Sequence, residues 1–250
     1  MLYALQLLEG FIMKLSILFL AGSIVGNCCL AQDLITPDRA KVDAQGAYLP
    51  FPGFTMVADL APNDVPFFQA LYDRLAQIPK FKEYYELLPL SSAHMTTINL
   101  YTKYPHHAET WDKFISEKLT WFQKVNHDVE KDNLYPKVKL SCLKGLRGVS
   151  VGVELNKNDE EKIKILAKKY EIENKIPAYF HISLAYLKKD IPRSDWTKLM
   201  IELNTVFSSL LKELNYKEKI LTLKRANLTY FPDMKSFVPW NGLSNPFMNK

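Results

Sequence analysis

The feature that most narrows what this chain can fold into is a coarse duplication. Two strand-like segments, SSAHMTTINLYTK at 91–103 and AYFHISLAYL at 178–187, are largely apolar and aromatic, yet each carries one histidine and nearby hydroxyls. A helical pattern precedes each and a long amphipathic one follows. A single repeated strand–helix plan, with no Pro/Gly/Ser-rich linker between the copies, points to one α+β domain rather than two independent ones.

The rest of the pattern fits that plan. FPGFTMVADL (51–60) reads as a first strand after a Pro-Gly turn. Phe67, Leu71, Leu75 and Ile78 recur at helical spacing behind Pro66, with Asn63 or Asp64 placed to cap. FKEYYELL (81–88) reads as a further short helix, and Glu109 to Lys131 as a long one. KVKLSCLKGL and GVSVGVELN alternate around Gly145–Gly148, which predicts a β-hairpin. A charged helix over 157–174 and a helix over 194–215 capped by Ser194 flank the second histidine strand. ILTLKRANLTYF and MKSFVPW close the chain as a hairpin, and Asp33 to Ala47 reads as a loosely attached lead-in.

The first residues carry a separate signal. From Met13 to Asp33 there is one Lys, an apolar stretch, and small residues leading to Ala31. That is the layout of a secretory signal peptide cut after Ala31, which makes 32–250 the domain and its expected location periplasmic or secreted, off the membrane after cleavage. Residues 1–12 lack a basic residue and read as an extension upstream of a start at Met13. The alternative is a retained helix from Leu2 to Leu30, interrupted by Glu9, Lys14 and Asn27. Loss of residues 1–31 leaves Cys142 alone, so no disulfide forms within the domain and no thiolate zinc site can be built.

With 48% hydrophobic residues the chain has apolar content for a substantial core, which argues against disorder. A formal charge of +5 permits an anionic substrate, but no dense Lys/Arg run marks a stable nucleic-acid complex.

In a strand, residues i and i+2 share a face. His94 and Thr96 therefore point together, as do His181 and Ser183; Ser92 and Tyr179 fall on the same faces and are candidates to line a cleft. An imidazole moves protons near neutral pH, and a hydroxyl beside it can hold a phosphoryl oxygen. Two such units across a cleft would supply one base and one acid. The plainer alternative is that each histidine is a satisfied polar group in a sheet; the matching placement in a duplicated plan favours a shared site.

HMTT and HISL match the H-x-[S/T]-x signature that occurs twice in the 2H phosphoesterase superfamily, which includes the LigT-like cyclic phosphodiesterases, and the surroundings are similar to a bacterial branch of it. The resemblance spans roughly 50–240, with Thr97 polar where the pattern prefers an apolar residue. It implies a bilobal α+β fold of two antiparallel-sheet lobes related by a pseudo-twofold, with helices outside. It implies His94 and His181 as the catalytic pair and Thr96 and Ser183 as phosphate-binding residues, with no metal and no cofactor. It also implies hydrolysis of a 2′,3′-cyclic nucleotide or an RNA-end cyclic phosphate by a monomer. The competing function is a non-catalytic phosphate- or nucleotide-binding module on the same fold.

Other residues carry weaker signals. Lys144 and Arg147 by the hairpin turn can reach a phosphate, and Tyr230 or Trp240 can stack on a base, though a solvated tip and core packing are the commoner uses. His106, His107 and His127 lack carboxylates at ligand spacing.

Overall fold

The computed structural model describes residues 33–248; the expected leader, 1–31, lies outside them. In chain order the strands are β1 (Leu34–Ile35), β2 (Gly53–Asp59), β3 (Tyr85–Leu87), β4 (His94–Thr102), β5 (Lys137–Lys144), β6 (Gly148–Leu155), β7 (His181–Leu187), β8 (Ile191–Pro192), β9 (Ile220–Thr222), β10 (Asn227–Asp233) and β11 (Ser236–Pro239). The helices are α1 (Val65–Leu75), α2 (Pro79–Tyr84), α3 (Trp111–Asp132), α4 (Lys157–Lys169) and α5 (Arg193–Glu213). Among the described residues, no helix is long and apolar enough to cross a membrane.

One antiparallel sheet carries the order β11-β10-β2-β4-β7-β6-β5-β9, with β3 added alongside β7. It divides into two four-stranded halves that meet where β4 touches β7. That seam holds a single recorded pair, Met95 opposite Ile182, whereas β2–β4 and β6–β7 run as ladders of several pairs. The two lobes are therefore hydrogen-bonded sheets joined at a narrow waist. Met95 and Ile182 are both fully buried, so the waist is also part of the core. Helix α5 packs on β5, α1 on α5, and α3 on β10.

The two central strands share nearly the same burial pattern. Over seven positions from each histidine the exposure runs partly buried, buried, partly buried, buried, buried, then exposed at Asn99 but partly buried at Tyr186, and buried again. The doubled buried position is a β-bulge in each case. β2 pairs Met56 with Ile98 and Val57 with Thr96, which leaves Thr97 unpaired; β6 pairs Val149 with Ala185 and Ser150 with Ser183, which leaves Leu184 unpaired. Thr97 and Leu184 both stand three residues after their histidine. The polar Thr97 is satisfied in the interior, because its hydroxyl donates to the Met56 carbonyl at 3.2 Å.

Several sequence expectations change in detail. FKEYYELL splits into the end of α2 and the strand β3, since Tyr85 to Leu87 pair with Leu187 to Ala185. Neither Asp64 nor Ser194 caps a helix: α1 and α5 have no side-chain cap, and α5 starts after Pro192. Asp64 is instead buried and held by Lys219 Nζ at 2.8 Å and the Tyr216 hydroxyl at 3.1 Å. The closing hairpin is β10–β11, while β9 crosses to the other lobe and pairs with β5.

The lead-in is not loose. β1 pairs with β8, Arg39 donates to the Lys188 carbonyl at 2.8 Å, and Val42 bridges Tyr48 and is fully buried. The Phe51 amide then donates to the Pro232 carbonyl at 2.8 Å. Residues 33–51 thus start on an element that follows β7 and end on β10, a strap laid from one lobe to the other.

Candidate active site

A cleft of about 430 Å³ opens at the waist. His94, Thr96, His181 and Ser183 all line it. The register explains why. With Met95 opposite Ile182, one further step either way sets His94 across from Ser183 and Thr96 across from His181, on the face away from the buried pair. On that register the imidazole of each motif comes level with the hydroxyl of the other.

The two imidazoles are held in the same way. His94 Nδ1 lies 2.7 Å from the Ser92 carbonyl, and His181 Nδ1 lies 3.2 Å from the Tyr179 carbonyl. In each case the nitrogen must donate, since a carbonyl only accepts. That fixes the neutral tautomer with its lone pair on Nε2, the nitrogen left for a ligand.

Their surroundings differ. The His94 ring lies tilted against Phe237 of β11, ring centroids 4.0 Å apart, and burial pushes its pKa down from 6.5 to about 4. His181 lies beside the half-exposed Tyr179 ring at 4.9 Å; its pKa is lowered too, first by burial and then by the charge of Lys41, against the opposing pull of the Tyr179 carbonyl.

Ser92 and Tyr179 do not line this cleft. The strand starts at His94 rather than before it, and Ser92 closes a 3₁₀ turn over Leu90–Ser92 in which its buried hydroxyl donates to the Pro89 carbonyl. What Ser92 gives the site is its backbone carbonyl. Tyr179 precedes β7 and lines an adjoining cavity of about 330 Å³, together with Arg147 of the hairpin turn, while Lys144 Nζ sits 5.7 Å above its ring. Trp240 is core and Tyr230 packs beside it. No group of three or more His, Cys, Asp or Glu side chains among the described residues is placed to hold a metal ion.

Other residues at the cleft were not singled out from sequence. Asn99 and Tyr186 both line it and occupy matching positions five residues after each histidine. Strict alternation would have chosen Ile98 and Ala185, which are buried; the bulge shifts the face by one. Phe51, Phe231 and Phe237 form an apolar wall, and Lys41 and Lys175 bring positive charge, with no carboxylate among the lining side chains. Aromatic character at 231 and 237 was visible, but nothing local said which of the chain's aromatic residues face the cleft.

Comparison with known proteins bears on the same residues. Residues 41–138 match a family model described as 2H phosphodiesterase, domain of unknown function (DUF1868); this segment contains the His94 motif but not the His181 motif. The chain is similar to uncharacterized protein 127L of Invertebrate iridescent virus 6, 28% identical over 229 residues that cover 82% of this chain and 96% of the viral one. Its fold is similar to that of a conserved protein of unknown function from Agrobacterium tumefaciens, at a TM-score of 0.59 and 18% identity over 82% of this chain and 92% of that one. The matched segment is thus similar to the 2H phosphodiesterase family model, and the likeness to the solved structure is one of fold.

Proposed function

We propose that the chain is a phosphodiesterase that opens 2′,3′-cyclic phosphates, on a nucleotide or an RNA end, without needing a metal. The observation that carries this is the pairing of two imidazoles, each with Nδ1 tied to a backbone carbonyl, with two hydroxyls on one cationic, carboxylate-free cleft. Thr96 and Ser183 donate to the non-bridging oxygens. The aromatic wall takes the nucleoside. Export to the periplasm or exterior, expected from residues 13–31, belongs to the same proposal.

The different surroundings favour one assignment of roles. His94, held neutral by burial, is the base: Nε2 takes a proton from water as the water oxygen bonds to phosphorus. His181 is the acid: once the bound phosphate's negative charge favours its protonated form, Nε2–H gives a proton to the ribose oxygen as the P–O bond breaks. One water is consumed and a phosphomonoester results. Both histidines end in the opposite protonation state, and a proton exchange with solvent resets them.

The test is turnover of 2′,3′-cyclic nucleotides in EDTA by the wild type, His94→Ala and His181→Ala. Hydrolysis by the wild type, lost in both folded variants, is expected. Binding of cyclic nucleotide without turnover would replace the enzyme with the binding module.

A further inference from the structure

The strap of residues 33–51 is the part of the molecule that a two-motif mechanism leaves unused. It crosses between the lobes over the waist and is fastened at both ends. A solvated leader would need none of those contacts. At its middle, Lys41 lines the main cleft and also the adjoining cavity beside the hairpin turn. The other residues common to the two cavities are His181, Ser183 and Tyr186. Lys41 therefore stands at the seam where a phosphoryl group held by Ser183 and His181 must lie.

The side chain is built to stay there. Its stem is partly covered, and Nζ lies 5.0 Å from the centroid of Tyr186 and 5.4 Å from that of Phe51. Its one recorded carboxylate partner, Asp38, is 3.7 Å away and only three residues earlier in the chain, too far for a strong hydrogen bond. The ammonium keeps donors for an anion.

Resting on the phosphodiesterase reading above, we propose that Lys41 is a third catalytic residue, which binds the non-bridging oxygens of the reacting phosphoryl group. Charge accumulates on those oxygens as water adds, and a fixed cation in a partly dry cleft stabilises it. The strap is then a working part of the active site. Its charge also reaches His181, whose pKa it lowers. The other titratable groups lining the two cavities with His181 are His94 and Tyr101 from β4, Lys175, Tyr179 and Tyr186 from its own segment, Arg147 at the hairpin turn, and Asp38 behind Lys41.

The experiment follows the imidazole signals of His181 by NMR through a pH titration, with and without inorganic phosphate, in the wild type, Lys41→Met and Lys41→Arg. Turnover of a 2′,3′-cyclic nucleotide is measured beside it. In Lys41→Met, phosphate binding is expected to weaken on the order of 10- to 100-fold, with kcat/KM falling at least as far. The His181 midpoint in phosphate-free buffer moves up, and Lys41→Arg recovers most of the phosphate affinity. Unchanged phosphate affinity and an unmoved His181 midpoint in Lys41→Met would overturn the proposal, even if that variant melted earlier, because a purely structural strap residue would change stability alone. Should the wild type bind phosphate through Lys41 yet hydrolyse no cyclic nucleotide, the cyclic-phosphate reading falls and, with it, the catalytic role. Lys41 would then be overturned as a catalyst and kept only as an anion ligand.

Discussion

The β4 and β7 segments share a backbone and differ in what covers them. Both set a histidine at the strand start, both tie Nδ1 to the carbonyl two residues back, and both bulge three residues on. Yet β11 lays Phe237 on His94, while His181 has the half-exposed Tyr179 and the strap's Lys41 beside it. On the phosphodiesterase reading proposed above, the duplicated strands supply two equivalent proton carriers, and their unequal covering is what would let one act as base and the other as acid.

The largest effect expected is loss of turnover. His94→Ala or His181→Ala should each cost about 10²–10⁴ in kcat, and the double variant little more than the worse single one, since the pair acts as a unit. Steady-state kinetics of the three variants checks this. A sharper test of inequality is a phosphodiester whose leaving group needs no proton, such as a p-nitrophenyl ester. His181→Ala should recover activity on it and His94→Ala should not; equal recovery would erase the distinction between the strands.

The pH dependence follows from the same difference. kcat/KM should rise as His94 loses its proton near pH 4 and fall as His181 loses its own, below 6.5, so the optimum is acidic. A flat profile from pH 5 to 9 would contradict the two-histidine scheme. Stability should show the cost of burying His94. Its folded pKa lies below its unfolded one, so the unfolded chain binds the extra proton, and folding weakens as pH falls from 6.5 toward 4. The loss is roughly 3 kcal/mol. His94→Asn, which keeps a donor for the Ser92 carbonyl, should melt at a temperature less sensitive to acid, by calorimetry at pH 7 and pH 4.5. The smallest effect belongs to the hydroxyls: Thr96→Ala and Ser183→Ala should each lower kcat/KM by about tenfold, visible as a raised KM.

Local periodicity was enough for the hairpin, the long helices and the two histidine strands, because each is set by neighbours in sequence. It also selected the four residues that meet in the cleft, since two positions from a histidine lies before either bulge. Beyond that point alternation failed: Asn99 and Tyr186 were hidden by an extra residue in each strand, which no apolar pattern marks when the residue itself is buried. β3 looked helical because YEL has no period of its own and becomes a strand only by pairing with β7. The strap looked loose because its apolar residues follow neither a helical nor a strand period; its fastening is through backbone and long-range contacts. Phe237 and Lys41 reach the site from opposite ends of the domain, and no short window contains either with a histidine.

The sheet order also sets a timetable. β5, β6, β7 and β9 are complete once residue 222 has been made, whereas β2 waits for β10, and β10 for β11, to become interior strands. As the chain is synthesised, the half bearing His181 can close first, and the half bearing His94 only when almost all of the polypeptide is available. Phe237 arrives with the last strand, so the imidazole that needs the most shelter receives it at the end. A nascent or clipped chain lacking β11 would leave His94 without its Phe237 cover, and the asymmetry between the two histidines would be set only on completion.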